Sequence, residues 1–297
     1  MFNRLLSIHG RFMMQQQEIL CLKSVTLKYS DAIAVKNLDI SVYSGEILGL
    51  LGPNGCGKST TLNAIAGNHA LESGCILLDG QSQTQQPLSY RAQIGFVPQE
   101  LAFYEELSPY SNLSFFGRLY GIQGNKLSQR ISEVLSLVKL DDRANMPAIA
   151  FSGGMKRRLN LACALMHKPK LLLLDEPTVG LDPSSREAVF SCLDQLRNEG
   201  CAIVYTTHYI EEVVRICNRV GFMAQGSMLF HGTLKEFQSH IFTKARGKAP
   251  NIRTPNYIYE EALEESHSEQ SLLRKKQAEE TYSLEQYLLE LSEIKAA

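Results

Sequence analysis

The run Gly52-Pro53-Asn54-Gly55-Cys56-Gly57-Lys58-Ser59-Thr60 places three glycines ahead of a lysine and two hydroxyls. Glycines at that spacing let the backbone wrap so that successive N–H groups and a helix N-terminus face an anion, which is the chemistry of a phosphate cradle. Lys58 adds a positive charge beside the outer phosphates, and the Ser59 hydroxyl suits Mg²⁺. A second element, Leu171-Leu-Leu-Leu-Asp175-Glu176, ends a run of apolar residues in two carboxylates. Acidic residues at a strand end are often solvated caps. In company with a phosphate cradle, Asp175 reads as a magnesium ligand, direct or through water, and Glu176 as the group that polarises an attacking water.

Such a cradle serves several classes of nucleotide enzyme. Guanine recognition calls for Asn-Lys-x-Asp, and the chain offers Asn125-Lys-Leu-Ser128, which lacks the aspartate. A small-molecule kinase needs no second nucleotide-facing motif, whereas residues 151–157 supply one.

These groups need a scaffold that ends buried strands at one edge. Ile47 to Leu51, Leu171 to Leu174 and Ala202 to Tyr205 are short apolar runs, each followed by turn residues and a helical pattern, the rhythm of a parallel sheet with crossover helices. Ile19 to Leu27 alternates loosely, and Leu38, Ile40 and Val42 recur at period two, predicting strands of an antiparallel edge. Residues 110–166 carry three helical stretches: one with Leu113, Phe116 and Tyr120, one with Ile131, Val134, Leu135 and Val138, and one with Met155, Leu159, Ala162, Cys163 and Met166 as its core stripe.

Composition limits the partners. A formal net charge of −1, with 44% hydrophobic and 21% charged residues, provides no basic field to gather nucleic acid. Seven cysteines lie singly at 21, 56, 75, 163, 192, 201 and 217, with no Cys-x-x-Cys pair, so neither a disulfide framework nor a zinc site is expected and a reducing compartment fits. No apolar run approaches the roughly 20 residues of a membrane span. The opening residues do not read as a secretory signal, and Met13 and Met14 offer alternative starts.

The second nucleotide-facing motif is Phe151-Ser152-Gly153-Gly154-Met155-Lys-Arg, shortly before the carboxylate strand. Taken with Gly52–Ser59 and Asp175-Glu176, it resembles the ATP-binding cassette family. The resemblance implies that Ser152, Gly153 and Gly154 bind the γ-phosphate of ATP held by a second cassette in a head-to-tail dimer. A Ser at a helix N-cap is physically suited to that task. By the same resemblance Tyr29 stacks on adenine, and Gln99 reaches magnesium and senses the membrane partner. Asp182, in Gly180-Leu-Asp182, lies on the dimer seam, and His208 contacts the γ-phosphate. Phe151 stands where Leu is usual, and Cys56 where Ala or Ser is frequent, introducing a thiol open to oxidation or alkylation. Met155, Pro177-Thr-Val-Gly-Leu-Asp182-Pro, Leu119-Tyr-Gly121 and the terminal Ser283-Leu-Glu-Gln-Tyr-Leu-Leu-Glu-Leu291 resemble the branch of drug, polyketide and ion exporters.

The expected fold is α/β: a P-loop NTPase with a RecA-like core, an antiparallel β subdomain and an inserted α-helical subdomain. Residues 1–17 form an extension, 18–240 the ATP-binding domain with its helical part at about 100–166, 241–281 a charged linker and 282–297 a terminal helix. The resemblance implies ATP and Mg²⁺ as ligands and a second copy as partner. Permease subunits would then make the membrane contact, at the cytoplasmic face of the membrane. Two alternatives compete. A cassette protein acting on ribosomes or DNA usually carries two cassettes or a coiled-coil insertion, absent here; a regulatory subunit without turnover would not need both Glu176 and His208.

Overall fold

The computed structural model describes residues 17–29, 32–237 and 239. The extension before residue 17, the expected linker at 241–281 and the terminal helix at 282–297 lie outside the described residues. Two long strands open the described residues, β1 (Glu18–Tyr29) and β2 (Ala32–Tyr43), paired antiparallel. The first strand of the inner sheet, β3 (Ile47–Leu51), leads through the glycine-rich loop into α1 (Lys58–Ala66). There follow β4 (Ser73–Leu78), β5 (Gln81–Ser82), α2 (Pro87–Arg91) and β6 (Ile94–Val97).

The expected helical insertion is present as α3 (Pro109–Leu119), α4 (Gly124–Leu137) and α5 (Gly153–Leu165). The chain then alternates β7 (Leu171–Asp175), α6 (Pro183–Asn198), β8 (Ala202–Thr207), α7 (Ile210–Ile216) and β9 (Arg219–Ala224), and turns back as β10 (Ser227–Thr233).

The strands form two sheets. One is antiparallel, ordered β2-β1-β4-β5; the other is ordered β10-β9-β3-β8-β7-β6, parallel apart from the β9–β10 hairpin. Side chains of a strand alternate between faces, and the inner sheet uses both. Leu171 and Leu173 pack into the apolar core shared with α1 and the antiparallel sheet, while Leu172 and Leu174 pack into the core shared with α5, α6 and α7. Leu48, Leu50 and Val204 face the first core, and Ile47, Leu51, Ile203 and Tyr205 the second. Double-sided burial explains why these strands read as unbroken apolar runs.

In the helical insertion, Leu113, Ile131, Val134, Leu135, Leu159, Ala162 and Cys163 are buried as their spacing requires, and Met155 packs half-buried against them. Phe151 is buried in the same core. Tyr120 departs from the expected stripe: it lies just past the end of α3, half-exposed, its ring stacked on His167 at a centroid distance of 3.8 Å.

Candidate functional site

Between β3 and α1 the loop must turn sharply enough to aim its N–H groups inward. Gly57, the N-cap of α1, has φ +107°, and a Cβ there would come 2.8 Å from Val35 Cγ2 and 3.0 Å from the Ala34 carbonyl. Only glycine fits. Pro53, Asn54 and Gly55 form the exposed rim, Ser59 is exposed and Thr60 half-buried on the first turn of α1. Lys58 folds inside the loop: its Nζ donates to the carbonyls of Gly52 at 2.8 Å and Pro53 at 3.1 Å, and stands 3.6 Å from Glu176 Oε1. Cys56 corrects an expectation. Its thiol is only 3% exposed, and burial raises its pKa, so it is not the open reactive thiol that the sequence suggests.

The carboxylates arrive at the end of β7, where parallel pairing sets Asp175 opposite Thr206. Asp175 Oδ1 accepts from Ser59 Oγ at 3.0 Å and from Thr206 Oγ1 at 2.8 Å. Glu176 takes a left-handed backbone, φ +46°, a conformation that costs roughly 1–3 kcal/mol for such a residue. Its N–H is held by Thr206 Oγ1 at 3.1 Å, which stabilises the turn. His208 Nδ1 lies 3.2 Å from Glu176 Oε1. A carboxylate only accepts, so Nδ1 carries the hydrogen of this bond. Lys58, Ser59, Asp175, Glu176 and His208 thus converge in one place. Thr206 is a site residue that the sequence reading passed over.

The remaining predicted residues stand elsewhere. Tyr29, at the end of β1, is 56% exposed, with its ring stacked on His69 at 4.7 Å. Gln99 is exposed just past β6; its carbonyl accepts from Arg157 on α5. Asn160, also on α5 and not singled out from the sequence, accepts from the Ala102 N–H at 2.9 Å and fixes the same segment. Ser152 is the N-cap of α5, its Oγ accepting from the Met155 N–H at 3.3 Å. Gly154 packs so tightly on α6 that a Cβ would clash with Ser185 Oγ and lie 2.6 Å from Ser185 Cβ. Asp182 caps α6 by accepting from the Ser185 N–H at 3.0 Å, a hydrogen bond that lowers its pKa. Within one chain, Ser152–Gly154 and Asp182 are therefore brought to each other. No hydrogen bond or ion pair among the described residues joins them to Lys58, Asp175, Glu176 or His208.

No helix among the described residues is long and apolar enough to cross a membrane. The ABC transporter family matches residues 35–179. The linearmycin resistance ATP-binding protein of Bacillus subtilis is 42% identical over 219 residues, which is 74% of this chain and 70% of the relative. A Nod factor export ATP-binding protein of Cupriavidus metallidurans is 38% identical over 214 residues, 72% of this chain and 71% of the relative. Among solved structures, cbiO1 from Clostridium perfringens, part of the ABC transporter complex cbiONQ, superposes with a TM-score of 0.70 at 29% identity, over 79% of this chain and 97% of that one. A converging lysine, carboxylate pair and histidine on a P-loop core, together with these similarities, assign the chain: it belongs to the ABC transporter family, as an ATP-binding subunit that hydrolyses ATP in transport.

Proposed function

We propose that two copies of this chain close head to tail around ATP and that hydrolysis reopens them, driving export through separate membrane permease subunits. The observation that carries this reading is the division of the site. Lys58, Asp175, Glu176 and His208 meet in one place, while Ser152, Gly153, Gly154 and Asp182 gather in another, so a partner subunit is needed to unite the halves.

In this reading the loop from Gly52 to Thr60 and the ammonium of Lys58 bind the phosphates, and the exposed face of Tyr29 receives adenine. Glu176 orients and polarises the water, and His208, bonded to Glu176, holds it in place and reaches the γ-phosphate. Ser59 Oγ and Asp175 Oδ1, 3.0 Å apart, are hard oxygen donors that fit Mg²⁺, with Gln99 completing the set from its loop. When bound, that cation neutralises charge on the phosphate oxygens.

The names of the relatives, linearmycin resistance and Nod factor export, favour export. Nothing in them favours a role on ribosomes or DNA. Tyr110, Phe115 and Leu119 on α3 are exposed apolar side chains, suited to a permease at the cytoplasmic face of a membrane.

The test is Glu176→Gln with ATP and magnesium, followed by size exclusion. The cradle survives in this variant while water activation is lost, so the expected result is a dimer that retains ATP; a protein that stays monomeric overturns the proposal.

A further inference from the structure

Glu212, on α7, is only 2% exposed and has no part in the chemistry above. Its two oxygens collect three hydroxyls. Thr178 Oγ1 donates to Oε1 at 2.6 Å, while Tyr205 Oη and Thr207 Oγ1 donate to Oε2 at 2.9 and 2.7 Å. Arg186 Nε, in the first turns of α6, stands 3.7 Å from Oε1. Each hydroxyl has a single hydrogen, and burial keeps the Tyr205 proton in place by raising its pKa well above the usual value. A carboxylate, with about four acceptor positions, can take all three hydrogens, while Thr178 Oγ1 and Tyr205 Oη also lie 2.9 Å from each other.

The partners share one property: they border the hydrolytic residues. Thr178 lies between Glu176 and Asp182. Tyr205 and Thr207 flank Thr206 on β8, and Arg186 follows Asp182 on α6. Thr207 Oγ1 also accepts from the Tyr209 N–H at 3.0 Å, so the hydroxyl that donates to Glu212 straps the backbone on both sides of His208. Filling space does not require a buried acid, since apolar side chains of similar volume are often neutral or stabilising in such positions.

We propose that Glu212 is a positioning residue for hydrolysis, clamping the segment from Glu176 to Asp182 and the loop carrying His208 into one unit. A displacement of Asp182 by the second subunit is thereby felt at His208. The inference rests on the roles given above to Glu176, His208 and Asp182.

Glu212→Gln preserves shape but replaces an acceptor by a donor, so at least one hydroxyl must reverse and accept from the amide, its hydrogen passing to a neighbour such as the Thr178–Tyr205 contact at 2.9 Å. In the full chain, kcat should fall about 10- to 100-fold, the usual consequence of losing an outer support of a reacting group. KM, the affinity for a fluorescent ATP analogue and the melting temperature should hold, with KM and affinity within about twofold. Thr207→Val should lower kcat in the same way and Thr207→Ser should restore it; this pair decides the matter if Glu212→Gln does not fold. The clamp is overturned if Glu212→Gln keeps its parent kcat, or if kcat, nucleotide affinity and melting temperature fall together. Lys58→Ala separates the levels: turnover in that variant sinks the site reading itself, whereas an inactive Lys58→Ala beside a normal Glu212→Gln sinks the clamp alone.

Discussion

Replacing Thr206 by Val tests how the carboxylate pair is held. The two side chains have nearly the same shape, so no cavity opens, but the hydroxyl that donates to Asp175 at 2.8 Å and accepts from the Glu176 N–H at 3.1 Å is gone. A buried N–H left without a partner costs about 1–3 kcal/mol, and a hydrogen bond to a charged group is worth about 1.5–3 kcal/mol. Both losses fall in a dry site, so native stability should drop by roughly 2.5–6 kcal/mol, a large share of the ~5–15 kcal/mol of an ordinary domain. Thr206→Ser keeps the hydroxyl and loses one methyl, about 1 kcal/mol. The chain has no tryptophan, so urea unfolding is best followed by far-UV circular dichroism, with ATP hydrolysis measured on the same samples. Freed from its tether, the left-handed turn at Glu176 relaxes, and kcat in the Val variant should fall by at least about tenfold. Val and Ser variants of equal stability, or a Val variant as active as the parent, would refute the reasoning.

Two further outcomes follow from packing and burial. Gly154→Ala should lower stability by about 1–3 kcal/mol and reduce ATP hydrolysis, because the added methyl drives α5 away from Ser185; thermal unfolding with parallel activity assays checks it, and an unchanged melting temperature contradicts the close approach. His167, held by burial below its ordinary value of 6.5 and pushed further down by Arg130, folds in the neutral form. Because its folded pKa is the lower one, the contribution is fully present above 6.5 and is lost as pH falls through the folded value. Urea titrations at stepped pH should therefore give a shallower decline below 6.5 for His167→Gln than for the parent, and identical slopes would exclude His167 as the cause.

What the sequence made legible was whatever leaves a local trace. β3, β7 and β8 are buried on both faces and so read as apolar runs; α3, α4 and α5 show helical spacing; the phosphate loop carries its own glycines. β6 has four residues, β5 has two, and β10 is half-buried along nearly all its length, so none presents a run or a clean alternation. β9 and β10 are joined by Gln225-Gly226, both at positive φ, a turn that was there to be read. Thr206 acquires its role only through its register opposite Asp175, a contact between residues far apart in sequence. The direction in which Cys56 points was likewise invisible, since a loop sequence fixes conformational freedom and not which side faces the core.

The alternate burial of Leu171 to Leu174 has a consequence for how the strand can vary. Each residue advances β7 by about 3.3 Å and reverses its face. One residue inserted or deleted would send every leucine after it into the opposite core and carry Asp175 past Thr206 and Ser59 in the same step. Cores and carboxylates share a single ruler. Leucine can give way to valine or isoleucine along β7 with modest loss, but changes of length there should be absent from any working descendant of this chain.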